Sequence, residues 1–275
     1  MALDPVSIPK SPRVLVMANQ KGGVGKTTTA INLGTALAAI GERALVIDLD
    51  PQGNASTGLG IDHDKRTVSI FDVLTGQRTL AESVCQTIVP RLGLAPSTLD
   101  LLGIELEIGN DKDRLYKLRN ALGEMGQAAP SDEAYTYVLI DCPPSFNLLT
   151  MNGLAAAHSV IVPLQCEFFA LEGLSQLLKT VRQVQDTLNR DLTIHGVVLT
   201  MFDPRNKYAS QVVADVRDYM GDTVYQTVIP RNVRVSEAPS FGKPVLLYDL
   251  KSSGSQAYLR LASEVIQRER QLRAA

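Results

Sequence analysis

The chain has 275 residues, of which 45% are hydrophobic and 20% charged, and its formal net charge is −2 at pH 7. Its three cysteines, Cys85, Cys142 and Cys166, share no CxxC spacing, which excludes a disulfide framework or clustered zinc site and indicates a reducing compartment. No signal-like apolar run and no stretch of about 18 apolar residues is present, so we expect a cytoplasmic protein. Residues 1–11 are expected to form a flexible lead and residues 12–275 a single domain.

Strand-like and helix-like patterns alternate along the chain from Arg13 onward. Short apolar runs predict buried parallel strands at Val14–Ala18, Ala44–Leu49, Tyr137–Ile140, Val160–Leu164 and Gly196–Thr200, with an edge strand near Leu92–Ala95. Helical patterns lie at about Lys26–Ala39, Arg114–Met125, Leu148–Ala156, Leu171–Leu188 and Ala209–Met220. This alternation predicts a single-domain α/β fold with a mostly parallel, twisted central sheet and helices on both faces. Together with the glycine-rich loop described below, the fold class is that of a P-loop NTPase.

The last segment, Ser255–Arg273, has the apolar spacing of a helix that packs on a sheet. One face would carry Tyr258, Leu259, Leu261, Ala262, Val265 and Ile266. A membrane-surface helix would need bulky apolar residues and an excess of lysine, but Glu264 and Glu269 interrupt the basic face. We therefore expect a terminal helix docked on the sheet.

A glycine-rich loop follows the first predicted strand and opens the first predicted helix. Close approach of backbone N–H groups to a polyphosphate requires glycine, and a helix N-terminus supplies such groups. The usual P-loop spacing would place a glycine at position 20, where this chain has glutamine, and an additional lysine stands next to it. The ATP-binding residues predicted from the loop are Lys21, Gly22, Gly23, Val24, Gly25, Lys26, Thr27 and Thr28.

Within this loop, Lys26 supplies a positive charge for the β- and γ-phosphates, and the Thr27 hydroxyl can bind Mg²⁺. Asp48 and Asp50 close the second predicted strand, and Asp141 closes another. Parallel strands direct their carboxyl ends toward the ligand crevice, so these carboxylates should face the nucleotide. One can hold Mg²⁺, usually through water, while another orients the attacking water.

The motifs KGGVGKTT, DLDPQGNAS and DCPPS, in this order, resemble those of the ParA/MinD family of deviant Walker A ATPases. The stretch TVIPRNVRVSEAPSFGKPVLLYD, residues 227–249, is similar to the chromosomal, Soj-like ParA branch. The resemblance covers about Arg13 to Glu269. It implies Mg-ATP as the cofactor and an ATP-sandwich homodimer.

The resemblance also implies residue roles. Lys21 would act catalytically by reaching across the dimer to the partner's phosphates, and Asp50 would position the water for hydrolysis. Thr27, Asp48 and Asp141 would be the metal residues. The loops after Asp50 and Asp141 would be switches that sense the γ-phosphate. The adenine would be held by Pro230, Arg231, Asn232 and Val233.

Members of the resembled family bind double-stranded DNA without sequence preference when dimerised by ATP. From residue 202 onward the chain carries 11 Lys and Arg against 8 Asp and Glu, which suits contact with phosphate. The DNA-binding candidates are Arg205, Arg231, Arg234 and Lys251, with Arg231 open to a nucleotide role instead. The implied partner is a ParB-like centromere-binding protein, and the implied location is the nucleoid in the cytoplasm.

Three alternatives stay open at this point. A MinD-like membrane ATPase would differ mainly in its terminal helix, and the expectation here is no membrane partner. An iron-sulfur reductase subunit would need two cysteines that bridge a cluster between subunits, for which Cys142 and Cys166 are the candidates. A metabolic P-loop ligase or kinase would need an acceptor-binding motif, which the sequence does not show.

Overall fold

The computed structural model describes residues 11–128 and 134–274. The predicted flexible lead, residues 1–11, therefore lies outside the described residues except for Ser11. Through the described part runs an eight-stranded sheet of order β3-β4-β2-β5-β1-β6-β7-β8. Its strands are β1 Arg13–Met17, β2 Ala44–Asp48, β3 Cys85–Gln86, β4 Leu92–Ala95, β5 Tyr137–Asp141, β6 Ser159–Gln165, β7 Thr193–Phe202 and β8 Val224–Pro230. All neighbouring strands pair in parallel except β3 and β4, so the predicted α/β fold is confirmed.

The helices connect these strands. They are α1 Lys26–Ala39, α2 Asn54–Gly58, α3 Ile70–Leu74, α4 Leu80–Ser83, α5 Ile104–Ile108, α6 Lys117–Ala128, α7 Leu148–Ala156, α8 Ala170–Thr187, α9 Lys207–Met220, α10 Val233–Glu237, α11 Val245–Tyr248 and α12 Ser253–Ala274. Short 3-10 helices lie at His63–Lys65, Leu99–Gly103, Gly221–Thr223 and Ala238–Phe241.

Two apolar cores lie on opposite faces of the sheet. Helices α1 and α12 cover one face, and α6, α7, α8 and α9 cover the other. Strands β1, β2 and β5 are almost fully buried, as expected for central parallel strands whose residues are apolar on both faces. The strongest apolar runs of the sequence thus become the centre of the sheet, and the phosphate loop leaves from that centre.

The terminal helix α12 is docked, as the sequence predicts. Tyr258, Leu261 and Val265 are buried to 1% exposure or less. Glu269 lies 2.8 Å from the Arg13 guanidinium and 2.9 Å from the His195 imidazole, which ties α12 to β1 and β7. Among the described helices, none is both long enough and apolar enough to cross a membrane.

The same helix also covers the outer side of β8. The Glu264 carboxylate accepts hydrogen bonds from the backbone N–H groups of Gln226 and Thr227, at 2.7 and 3.0 Å. At the other end of the sheet, the two residues of β3 pair antiparallel with β4. The edge strand β8 therefore has a side-chain partner within the chain, and β3 forms the other edge of the sheet.

Candidate functional site

The strand order brings the predicted site residues to one edge of the sheet. Strand β5 lies between β1 and β2, and the register pairs Met17 and Asp48 each with Asp141. The glycine-rich loop continues from β1, and the aspartates end β2 and β5. Residues far apart in sequence therefore converge because their strands are parallel neighbours.

The glycine-rich loop has the backbone form that a phosphate cradle needs. Gly25 has φ 93° and is followed directly by the 14-residue helix α1. Only glycine adopts this left-handed conformation at little cost, so the N-terminus of α1 opens toward the loop without a side chain in the way. The Lys26 ammonium, 6% exposed, donates to the Lys21 carbonyl at 3.0 Å. Thr200 donates to the Val24 carbonyl at 2.8 Å and anchors the loop to β7.

A cavity of about 730 Å³ opens over this loop. This volume suits a nucleotide-sized ligand. The cavity is bounded by the phosphate loop with the start of α1, the loop after β2 with α2, the loop after β5 and three outlying apolar residues. Its lining is Gly22, Gly23, Gly25, Lys26, Thr27, Thr28, Ile31, Asp50, Pro51, Gln52, Asn54, Thr57, Leu102, Pro143, Pro144, Ser145, Asn147, Met201 and Pro239.

Two fully buried carboxylates, those of Asp48 and Asp141, lie beneath the cavity. Burial raises the pKa of Asp48 to about 6, against the effect of hydrogen bonds from Ser56. Burial also raises the pKa of Asp141 well above its ordinary value, and the neighbouring Asp48 raises it further. The pKa of Lys26 is lowered by burial, although Asp141 opposes that shift.

The Asp141 carboxylate has the properties of a metal-associated group. Neither of its oxygens has a hydrogen-bond partner within the described chain, and the residue is 0% exposed. A buried unpaired carboxylate is costly unless a cation approaches it. Thr27, which lines the cavity, is close enough to lower the pKa of Asp141. The donor set, a hydroxyl and carboxylates, is of the hard oxygen type that Mg²⁺ prefers, so these residues fit the ion.

Asp50 differs from the other two aspartates because it reaches the cavity. It is 9% exposed, and its carboxylate accepts from the Gln52 N–H at 3.0 Å. The Ser97 hydroxyl donates to the Asp50 carbonyl at 2.5 Å, and the Ser97 N–H donates to the Ser56 hydroxyl at 3.1 Å. Ser56 in turn donates to Asp48 at 2.7 Å. The loop after β2 is thus bonded both to Asp48 and to the segment that follows β4.

Arg66 is a second anchor of this loop. Its guanidinium is buried and donates to the Ile61 carbonyl at 2.9 and 3.0 Å, to the Ser97 carbonyl at 3.2 Å and to the Thr57 hydroxyl at 2.8 Å. Gly53, with φ 63°, leaves the space that this guanidinium fills. Sequence reasoning did not single out Ser56, Ser97 or Arg66 as site residues.

Two of the ATP-binding residues predicted from the phosphate loop, Lys21 and Val24, do not line the cavity. The Lys21 ammonium pairs with the Glu167 carboxylate at 2.9 Å, and the Lys21 side chain is 41% exposed. The next two residues, Phe168 and Phe169, are 71% and 60% exposed and contact each other edge to face. Tyr208 stacks on Phe168 with the ring centres 6.0 Å apart. Lys21 therefore sits beside an exposed aromatic patch.

The predicted adenine segment lies beside the main cavity and not along its wall. None of Pro230, Arg231, Asn232 and Val233 lines it. Arg231 instead lines a neighbouring cavity of about 370 Å³, together with Asp203 and Arg205. Met201 borders both cavities and has φ 53°, an uncommon conformation for a residue other than glycine.

The predicted DNA-binding side chains fall into two groups. Arg205 pairs with Asp203 at 2.7 Å, and Arg234 pairs with Glu237 at 3.0 Å and with Asp249 at 3.6 Å. Arg231 and Lys251 are exposed and make no ion pair within the described part of the chain. Arg231 and Lys251 are therefore the two candidates whose positive charge forms no ion pair with a carboxylate among the described residues.

The two cysteines considered for a cluster are enclosed in the fold. Cys142 is 1% exposed and Cys166 is 5% exposed. Burial raises the pKa of the Cys142 thiol far above its usual range and raises the pKa of Cys166 to about 11. Buried protonated thiols are poorly placed to bridge a cluster to a second subunit.

Residues 12–194 match the AAA domain family. Over 262 residues the chain is 61% identical to the chromosome partitioning protein ParA of Caulobacter vibrioides. This alignment covers 95% of this chain and 97% of that protein. The chain is 50% identical to the sporulation initiation inhibitor protein Soj of Bacillus subtilis, over 92% of this chain and 98% of that protein.

Solved structures with the same fold include nucleotide-bound proteins. A cobyrinic acid a,c-diamide synthase from Mycobacterium smegmatis with bound ADP and magnesium has a TM-score of 0.81 at 39% identity, over 94% of this chain and 96% of that one. The cell division ATPase MinD from Pyrococcus furiosus has a TM-score of 0.75 at 25% identity, over 93% of this chain and 98% of that one.

Proposed function

Because the chain belongs to the ParA/Soj family of chromosome-partitioning ATPases, we propose that it is an ATP-driven switch that segregates DNA. ATP binding builds a sandwich homodimer, the dimer holds DNA without sequence preference, and hydrolysis stimulated by a ParB-like partner releases it. The observation that carries this proposal is the convergence of Lys26, Asp50 and Asp141 on one edge of the sheet.

Mg-ATP fits this edge through residues of the chain itself. The N–H groups at the start of α1 and the Lys26 ammonium would hold the phosphates, and Thr27, Asp48 and Asp141 would hold Mg²⁺ directly or through water. Bound Mg²⁺ would neutralise phosphate charge. Asp50, accessible from the cavity, would orient the attacking water. Pro230–Val233 would hold the adenine, with Arg231 as the residue of this segment that lines the neighbouring cavity.

Lys21 is proposed to act on the nucleotide of a second protomer. Its ammonium lies outside the lining of its own cavity, and breaking its exposed ion pair with Glu167 costs about 0–1 kcal/mol. The neighbouring Phe168 and Phe169 supply apolar surface of the kind that associating proteins bury. In the dimer, Lys21 would stabilise charge that develops in the transition state.

Three alternatives are less well supported. In a MinD-like membrane ATPase the terminal helix would present its apolar face to lipid, whereas here that face packs on the sheet through Tyr258, Leu261 and Val265. A metabolic ligase is suggested by the M. smegmatis structure, but that protein shares 39% identity with this chain against 61% for C. vibrioides ParA. The iron-sulfur alternative would need exposed cysteines in place of Cys142 and Cys166.

The test is co-sedimentation with random-sequence duplex DNA. We expect wild type to bind DNA with ATP and not with ADP or without nucleotide. Asp50→Ala should stay bound with ATP because hydrolysis is blocked while the nucleotide site remains. Equal DNA binding in all three conditions contradicts the proposed function. Lys21→Ala should bind ATP but fail to dimerise, as measured by analytical ultracentrifugation.

A further inference from the structure

A short helical segment beside the nucleotide cavity is apolar on two sides. The 3-10 helix Leu99–Gly103 runs directly into α5, Ile104–Ile108. Its inner side packs in the core through Leu101, Ile104 and Ile108, exposed by 1%, 2% and 3%. Its outer side carries Leu99, Leu102 and Leu106, exposed by 58%, 70% and 91%. Spacings of three and four residues place side chains on the same side of a helix, and we name these three residues the outer leucine row.

The fold does not need the outer leucine row. The inner residues already anchor the segment, while side chains as exposed as Leu106 gain little from the hydrophobic effect. Scattered single apolar residues on a surface are normal, whereas neighbouring ones rimmed by polar residues mark interaction sites. The row has the form of such a site.

The surroundings of the row define what it can bind. From Leu99 to Asn110 the sequence has three acidic residues and no basic one, whereas the following Asp111 already pairs with Lys117. Glu105 and Glu107 are exposed, flank Leu106 and make no ion pair within the described residues. A ligand that buries the leucines and neutralises these carboxylates must be apolar on one side and basic on the other. An amphipathic helix with lysine or arginine beside its apolar stripe meets both requirements.

The position of the row links it to the nucleotide. Leu102 lines the main cavity together with Asp50 and Asn54. Ser97, two residues before the row begins, donates its hydroxyl to the Asp50 carbonyl. A ligand on the row would therefore touch the segment that holds the backbone of Asp50 in place.

We propose that the outer leucine row is the docking surface for a basic amphipathic helix of a partner protein. This inference rests on the proposed function, because the occupant is taken to be the partner that stimulates hydrolysis. Docking there would act on Asp50 through Leu102 and Ser97.

The test uses the full chain and a fluorescein-labelled synthetic helical peptide of lysine and leucine, with binding followed by fluorescence anisotropy. Leu99→Gln/Leu106→Gln should weaken peptide binding at least tenfold, and so should Glu105→Lys/Glu107→Lys. The matched controls, Leu247→Gln/Leu250→Gln for apolar exposure and Asp186→Lys/Asp191→Lys for charge, should bind like wild type. Equal losses in variants and controls overturn the proposal.

Three further measurements separate this inference from its rivals and from the proposed function. Binding of a fluorescent ATP analogue should be normal in Leu99→Gln/Leu106→Gln. Normal ATP binding with unchanged peptide binding overturns the inference alone, whereas wild type that binds no ATP contradicts the proposed function. If the double variant loses the ATP-dependent dimer in ultracentrifugation but keeps the peptide, the row is a contact between copies and the proposal is wrong. Binding of wild type, but not the double variant, to lipid vesicles would also overturn it.

Discussion

At the scale of single residues, the site depends on carboxylates that burial has made difficult to ionise. Asp48 and Asp141 are both fully buried and stand opposite each other in the register of β2 and β5. In the protein without bound metal, each raised pKa means that ionisation of the carboxyl lowers the free energy of unfolding. Metal binding would then stabilise the same arrangement of carboxylates that destabilises the chain without metal.

Asp141→Asn is expected to stabilise the ion-free protein at pH 7 and to abolish magnesium-dependent hydrolysis. A carboxyl whose folded pKa lies above its unfolded value supports folding at low pH, and this support is lost as pH rises through the folded pKa. The support from Asp48, whose folded pKa is about 6, is lost between about pH 4 and pH 6. The support from Asp141, whose pKa is also raised, is lost over the same range or above it. The gain in unfolding free energy should be about 1–3 kcal/mol, which is the usual cost of leaving a buried polar group without a partner.

The measurement is urea unfolding in EDTA at pH 4.5 and pH 7.5 for wild type and variant. The control is Asp203→Asn, because the hydrogen-bonded ion pair with Arg205 lowers the pKa of the partly buried Asp203 to about 2. Its substitution should not raise stability at pH 7.5. An Asp141→Asn protein less stable than wild type at the higher pH would show that the carboxylate has a partner after all.

Gly53→Ala should damage the loop that presents Asp50. Gly53 has φ 63°, and an added Cβ would lie 2.3 Å from the Arg66 guanidinium nitrogen. We expect a loss of about 1–3 kcal/mol in unfolding free energy, from backbone strain and displacement of Arg66, with lower ATPase activity. Gly76→Ala is the matched control, since Gly76 has φ 78° but no atom within 4 Å of its added Cβ. Equal effects of the two substitutions on ATPase activity would show that Arg66 does not hold the loop.

At the scale of elements, the sequence predicts the central strands and the long helices well and the periphery poorly. Helices α1 and α7 have the predicted bounds, and a strand lies at Leu92–Ala95 as predicted, but it is not an edge strand because β3 pairs with its outer side. Strand β8 was not predicted, because its burial alternates irregularly and it follows a 3-10 turn instead of a clear breaker. Strand β3 has only two residues and takes its form from pairing with β4.

The candidate site divides in the same way. The phosphate loop and the aspartates are contiguous motifs whose strand context is visible in the sequence. Ser97 reaches the site through a hydrogen bond to Asp50, which is 47 positions away in the sequence, and Arg66 through one to Ser97, which is 31 positions away. No local sequence pattern encodes such contacts. Leu102 was missed because it lies in the region between residues 62 and 130, where short helices follow one another without long periodicity.

The buried Glu269 carboxylate ties α12 to β1 and β7, so Glu269→Gln should loosen this end of the helix. Glu269 is 3% exposed and faces both Arg13 and His195. Removing its charge leaves the two bases without their partner, and we expect a loss of about 3 kcal/mol in the free energy of unfolding. Glu237→Gln, which breaks an exposed pair with Arg234, should cost less than about 1 kcal/mol. Thermal and urea unfolding at pH 7 compare the two; equal losses would mean that the Glu269 contacts contribute little.

At the scale of the whole molecule, a chain of net charge −2 is proposed to bind a polyanion, so the distribution of charge must decide affinity. The four candidate bases follow β7 and β8 or lie just before α12. Two of them already have carboxylate partners, Arg205 with Asp203 and Arg234 with Glu237. A DNA phosphate must displace those carboxylates from the two arginines, whereas Arg231 and Lys251 can bind a phosphate directly.

Arg231→Gln/Lys251→Gln should therefore weaken DNA binding more than Arg205→Gln/Arg234→Gln does. Each free cation lost should reduce the slope of log affinity against log salt by about 1, and the double variant by about 2. The paired arginines should change the slope less. Anisotropy titrations of labelled random-sequence duplex over a salt series, with ATP and in the Asp50→Ala background, give both slopes. Equal slopes for the two double variants would contradict the distinction.

The Glu264 carboxylate has a consequence for self-assembly. An open edge strand offers N–H groups that a strand from another molecule can pair with, and this is a route to fibrils. On β8 those of Gln226 and Thr227 are already bound by Glu264. At high local density on DNA, as the proposed function requires, these two residues would be closed to pairing with a strand of another molecule. Association of copies at β8 is then expected to use reversible side-chain contacts and not the extension of the sheet.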